Sequence, residues 1–115
     1  MPILSLQTNI PAENVSQDLL KELSKKLAQL LHKPESYVAV HIQGGQLMTF
    51  GGTTEPCAYG TLKSIGGVGG DLNNSHAKVL YEVIQKSLSI SGKRIYIEFV
   101  DVPATEIAFN GRTFA

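Results

Sequence analysis

The chain states one pattern twice. Tyr37-Val38-Ala39-Val40 and Tyr96-Ile97-Glu98-Phe99 lie 59 residues apart, and an amphipathic helical pattern precedes each by a similar interval. Ile3 to Leu6 is strand-like and closes at Asn9-Ile10-Pro11. A helix follows, with Asn14 predicted as its cap, Gln17 three residues on as in a capping box, and Leu19, Leu20, Leu23, Leu27, Leu30 and Leu31 along one face. Lys33-Pro34 ends it, and Tyr37 to Ile42 returns as a strand that stops at Gly44-Gly45, with Gln46 to Phe50 a further edge strand. The second unit runs from a strand over Cys57 to Ile65, through Gly66-Gly67-Val68-Gly69-Gly70, into a helix from about Asn73 to Leu88 with Val79, Leu80, Val83, Ile84 and Leu88 inward. Arg94 to Val100 is its closing strand, and Asn110-Gly111 predicts a tight turn in the tail.

This order allows few folds. Two β-α-β units with right-handed crossovers, at about residues 2–43 and 57–100, give an α+β, α/β-like single domain over 1–115: a four-stranded mixed sheet with two helices on one face. Those helices leave the other face bare. Val38-Ala39-Val40 and Ile95-Tyr96-Ile97 do not alternate cleanly between apolar and polar, which predicts burial of both faces by sheet-to-sheet packing in a symmetric oligomer. Composition agrees, because only 17% of residues are charged while 43% are hydrophobic, against about 25% charged in an average domain.

Charge also removes classes of partner. The 10 Lys+Arg and 10 Asp+Glu are spread evenly, so the chain has no basic arm for nucleic acid and no polybasic membrane anchor. Cys57 is the one cysteine, and His32, His41 and His76 lack metal-ligand spacing, so neither a disulfide scaffold nor a metal site is expected. No apolar run reaches signal or membrane length, which predicts a cytoplasmic protein with no membrane insertion. The two Asn-x-Ser triplets, at Asn14 and Asn73, are then read as structural.

Several residues could carry chemistry. The glycine-rich loop fits neither the dinucleotide nor the Walker pattern, so tight-turn geometry is the plainer account. Tyr96 and Glu98 share a strand face, as an acid/base pair or as a polar strand edge. Lys33 reads as a cation favoured by a helix end. Pro2 is the subtler feature, because initiator Met is removed before proline and leaves a secondary amine. An α-amino group titrates at roughly 7.7–8.0, and burial or a nearby Lys lowers that value, so such an amine is neutral where a general base works.

Met1-Pro2, Lys33-Pro34 with Tyr37-Val38-Ala39-Val40-His41, Phe50-Gly51-Gly52 with Glu55-Pro56-Cys57-Ala58, Ser64-Ile65-Gly66, Arg94-Ile95-Tyr96-Ile97 and Phe109-Asn110-Gly111-Arg112-Thr113-Phe114 together resemble the macrophage migration inhibitory factor family of the tautomerase superfamily. Tyr37 and Tyr96 set the chain apart from the D-dopachrome tautomerase branch. The resemblance implies a homotrimer with three sheets around a central channel and keto–enol tautomerase activity on phenylpyruvate and D-dopachrome-type compounds. These small aromatic keto acids would bind without a cofactor between neighbouring subunits. It implies Pro2 as catalytic base, Lys33 on the substrate carboxylate, backbone groups of Ser64 and Ile65 as positioning groups, and Tyr37, Ile107, Phe109 and Phe114 as pocket walls. Tyr96 would come from the adjacent subunit.

Four departures accompany it. Glu98 stands where the best-known members carry Asn, Phe109 where many carry Trp, and Gly60 where a second cysteine would complete a thiol-oxidoreductase motif. Ala12 and Gly45 replace an arginine and an aspartate of a chemokine-mimicking surface. A second role implied by the resemblance is that of a cytokine-like ligand, secreted without a signal peptide and engaging a CD74-type receptor, with weak or vestigial enzyme activity; a purely structural trimer is the third reading.

Overall fold

The structure is a computed structural model describing residues 1–115. Strands β1 (Pro2–Thr8), β2 (Ala39–Gln43), β3 (Ala58–Ser64) and β4 (Ile95–Asp101) form one sheet, with helix α1 (Gln17–Leu31) between β1 and β2 and α2 (Asp71–Leu88) between β3 and β4. The spatial order is β2-β1-β3-β4. β1 runs parallel to β2 and β3 parallel to β4, while β1 and β3 pair antiparallel from Pro2↔Ser64 to Thr8↔Ala58. The repeated units therefore meet head to tail at the centre of a mixed sheet, and a short hairpin, β5 (Ala108–Phe109) and β6 (Arg112–Thr113), follows.

Both helices cover the same face. Leu19, Leu23, Leu27 and Leu31 of α1 recur every four residues and meet Leu80, Val83, Ile84 and Leu88 of α2 over Leu4, Leu6, Leu62 and Ile95 of the sheet. Leu20 and Leu30 flank this stripe half-buried, and His76 replaces Val79 as an inward residue of α2. Leu23 is fully buried at the middle of α1. Leu23→Ala should lower unfolding free energy by about 3–4 kcal/mol in urea titrations at fixed protein concentration.

The other face is open and mixed. Along β2 and β4 the side chains do alternate, Val40, Ile42, Ile97 and Phe99 toward the helices and His41, Gln43, Tyr96 and Glu98 away from them. The sequence hides this alternation because Ala39 and Tyr96 count as apolar although both project outward.

Three local readings change. Ser16, not Asn14, caps α1, its hydroxyl accepting from Leu19 N–H at 3.1 Å. Asn14 instead closes a short 3₁₀ turn whose N–H donates to Pro11 C=O at 2.9 Å. Gln46–Phe50 makes no strand in the single chain. Gln46 N–H still reaches Thr8 C=O at 3.0 Å, but beyond it the segment joins no strand: Leu47 is 103% exposed and Phe50 makes only an isolated bridge to Thr53.

The glycine-rich loop is a turn, with Gly66, Gly67, Gly69 and Gly70 all at positive φ. Its polar groups are already bound: Gly66 N–H donates to Asp101 at 2.9 Å, Gly69 N–H to Asn73 at 2.8 Å, and Gly67 C=O meets the buried His76 ring at 2.7 Å. At Gly60 a Cβ would lie 2.9 Å from Leu6 Cδ1 and 3.3 Å from Ser5 C=O, so the space that a second cysteine would need is filled by the core. Cys57 stays buried and unpaired. No helix is long and apolar enough to cross a membrane.

Candidate active site

β1 begins at Pro2, so the start of the chain lies inside the sheet rather than beside it. Pro2 is fully buried, cross-strand from Ser64, and the next residue pairs Ala39 of β2. Met1 and Ile3 then form the floor of an apolar cavity of about 280 Å³, walled by Tyr37, Ile107, Phe109 and Phe114. Tyr37 stands edge-on to Phe109 at 5.4 Å and to Phe114 at 6.1 Å, and Phe109 stacks on Phe114 at 6.0 Å.

The hairpin places those aromatics. Asn110 and Gly111 both take positive φ, 52° and 88°, as a two-residue turn between strands requires. Phe109 pairs with Arg112, and Phe114 N–H donates to Ile107 C=O at 3.2 Å. Side-chain alternation then sets Ile107, Phe109, Arg112 and Phe114 on one face. Four sequence-predicted wall residues thus converge: Tyr37 from the turn before β2, and three from the tail.

Lys33 reaches the same place from α1. His32, at φ 53°, ends the helix in the left-handed region and turns the chain, while Lys33 N–H donates to Ala28 C=O at 3.1 Å. The Lys33 ammonium lies close enough to the N-terminal amino group to act on it. Burial first, and Lys33 second, hold that amine below its ordinary value of 8.0. In the full chain the amine is Met1's; removal of Met1 transfers it to Pro2, one residue deeper.

Ser64 stands beside this amine across the β1–β3 pair. Its carbonyl already accepts from Val102 N–H at 2.8 Å, and its buried hydroxyl has no partner. Ile65 follows at the strand's end, half-buried.

Tyr96 and Glu98 lie elsewhere. Ser64 is level with both Pro2 and Asp101, so Tyr96 sits five residues away from that level along β4. At the rise of a strand this is about 16 Å, and about 10 Å for Glu98, before the lateral step of two strands is added. Tyr96 instead borders a separate cavity of about 260 Å³ with Met48, Phe50 and Tyr59, its ring 4.9 Å from Phe50. Glu98 accepts from the Tyr59 hydroxyl at 2.9 Å. The predicted site residues therefore fall into two groups at different ends of the sheet.

Sequence reasoning named Arg94 only as part of a motif. Its guanidinium donates to the carbonyls of Phe50 at 2.9 Å, Glu55 and Pro56 at 3.0 Å and Thr53 at 3.3 Å, and lies 5.4 Å from the Phe50 ring. It fixes the 50–56 loop against Tyr96. A lone arginine followed by a strand carries no signal of four backbone acceptors more than thirty residues away.

A cleft of about 950 Å³ lies remote from the amine, lined by Asn9, Pro11, Ala12, Glu13, residues 44–49 and Thr54. Ala12 and Gly45 do come together there, with the Gly45 N–H bonded to Ile10 C=O at 2.6 Å.

Two β-α-β units joined antiparallel, with the chain's own amine enclosed in an apolar cleft at the start of β1, define a distinct class of protomer. The family model described as macrophage migration inhibitory factor matches residues 1–115. The chain belongs to that family. It is 53% identical over 114 residues to a macrophage migration inhibitory factor homolog of Trichuris trichiura, covering 99% of this chain and 100% of that one. Solved structures agree: the macrophage migration inhibitory factor of Trichinella spiralis superposes with a TM-score of 0.95 at 43% identity, covering 97% of this chain and 99% of that one. A homologue from Prochlorococcus marinus gives 0.93, also at 43% identity, with 98% and 99% covered.

Proposed function

We propose that this protein is a keto–enol tautomerase of phenylpyruvate and D-dopachrome-type compounds, with the Pro2 amine as general base after removal of Met1. The observation that carries this reading is the N-terminal amine beside the apolar aromatic cleft floored by Met1 and Ile3, its basicity lowered by partial burial and then by Lys33. An arylpyruvate would enter with its carboxylate toward Lys33 and its ring among Tyr37, Ile107, Phe109 and Phe114. The Pro2 nitrogen takes a proton from the carbon beside the ketone, the C–H electrons move into the enolate, and a proton returned to oxygen completes the enol. No electrons are gained or lost overall, so no redox cofactor is needed. A cation stabilises the developing oxyanion, and the apolar walls keep the base unprotonated.

Because Tyr96 and Glu98 lie far from their own Pro2, the site is completed by a second copy, as in a homotrimer with pockets at subunit borders. The test is a phenylpyruvate enol–keto assay on protein whose intact mass shows Met1 absent. Lack of turnover in that protein sinks the proposal.

Glu98 sets a further expectation. A carboxylate near the neighbouring cleft favours the protonated amine and repels an anionic substrate. Glu98→Asn should raise phenylpyruvate kcat/KM at neutral pH by about threefold to tenfold, with the acid limb of its pH profile moved down. An unchanged or lower rate counts against a Glu98 that faces the cleft.

The relatives are named for inhibition of macrophage migration, which supports a second role: a secreted, cytokine-like trimer bound by a CD74-type receptor. Ala12 and Gly45, adjacent on one surface, leave that patch without its charged pair. Receptor binding measured on the active enzyme and on Pro2→Gly separates the two roles, since a signalling surface distinct from the cleft tolerates loss of the base.

A further inference from the structure

Resting on the tautomerase reading, we infer that Arg112 forms a second anion-recognition point at the outer mouth of the cleft, selecting aromatic 2-keto acids with an additional carboxylate at the far end of the ring. Arg112 occupies the one charged position on the hairpin face that Ile107, Phe109 and Phe114 otherwise make apolar. It pairs directly across the hairpin from Phe109, so the same two-residue turn that aims Phe109 also aims the guanidinium.

A second cavity of about 370 Å³ opens on the outer side of these residues. It shares Tyr37, Phe109 and Phe114 with the inner cavity and adds Asn110, Arg112, Thr113 and Ala115. The aromatic cluster is therefore a common wall between an inner chamber, near Lys33 and the amine, and an outer chamber with Arg112. A ring held by this wall would lie between Lys33, which acts on the amine, and Arg112 of the outer chamber.

Arg112 is free to take a ligand. Arg94, the other arginine, spends its guanidinium on four backbone carbonyls and stacks against Phe50, the chain's one cation–π contact. Arg112 has no comparable protein partner, although its planar fork suits a carboxylate. The other charged group lining the outer cavity is the terminal carboxylate of Ala115. If that carboxylate already neutralised Arg112, the protein would show no preference for a dicarboxylate.

The experiment compares phenylpyruvate with 4-carboxyphenylpyruvate on Met1-free wild type, Arg112→Ser and Arg112→Lys. Wild type should show the lower KM for the dicarboxylate. Arg112→Ser should raise that KM about tenfold and leave the phenylpyruvate KM within about twofold, with kcat little changed for both. Arg112→Lys should recover part of the preference, and added salt should erode it in wild type. Equal changes with the two substrates, or no wild-type preference, overturns the inference. Calorimetry with cinnamate and 4-carboxycinnamate on the same proteins keeps this separate from the reaction itself. Arg112-dependent preference in binding without turnover upholds the second anion point and removes the tautomerase reading; turnover of phenylpyruvate without that preference does the reverse.

Discussion

Pro2→Gly, with Met1 removed, should lower kcat/KM for phenylpyruvate by about 100- to 1,000-fold, the lower part of the range a positioned general base contributes. Glycine still permits Met removal and still leaves an amine, so the loss isolates what proline supplies. That is a ring packed into the sheet opposite Ser64, which fixes the direction of the nitrogen lone pair. Protein that retains Met1 should be at least as inactive, because its residue-2 nitrogen is a tertiary amide with no basic lone pair. The pH profile supplies the sign. An amine whose pKa is lowered by burial and Lys33 becomes neutral, and active, through a midpoint below 8.0, so the rate should climb with pH through that midpoint and then level off. Lys33→Gln removes the smaller of the two causes: the acid limb should move up, but only part of the way, while KM rises. Equal rates for wild type and Pro2→Gly would rule out a base that depends on the proline ring.

Much of this cleft could be read from the chain, and the unread part has specific physical causes. The two units, their helices and their strands follow from apolar periodicity, which is local. The choice of Ser16 over Asn14 as the cap is not local, because it is set by which register turns Leu19, Leu23, Leu27 and Leu31 onto the sheet. The tail's turn was legible in Asn110-Gly111, whereas its seat against Tyr37 depends on aromatic contacts over some seventy residues. Pattern alone also could not tell that the two units meet antiparallel through β1 and β3. That junction carries Ser64 to Pro2 and at the same time carries Tyr96 and Glu98 away from it. His76 gave no sign of its burial, since a histidine inside a helix is legible as core only once Gly67 C=O is known to face it.

That division of the site leads to a test of assembly as well as chemistry. Pro2→Gly disables the positioned base in one group, and Tyr96→Ala, expected to cost about tenfold, truncates the ring of the other. If a working site takes Pro2 from one subunit and Tyr96 from its neighbour, trimers formed from a 1:1 mixture should be more active than either parent. Random assembly leaves about a quarter of the borders with both residues intact, so the mixture should run near a quarter of wild-type rate, several-fold above the mean of the parents. The recovery must require subunit exchange, by co-expression or by refolding the two together. Simple addition of folded trimers should give only the parental mean. Were both residues used within one chain, mixed and unmixed samples would match under every protocol. The separation of Tyr96 from Pro2, about 16 Å along the strands alone, is too great for a ring to bridge and argues for exchange. Arg94 adds a control: its hold on the 50–56 loop keeps Phe50 against Tyr96, so Arg94→Ala should impair the group that contains Tyr96 and be complemented by Pro2→Gly in the same way.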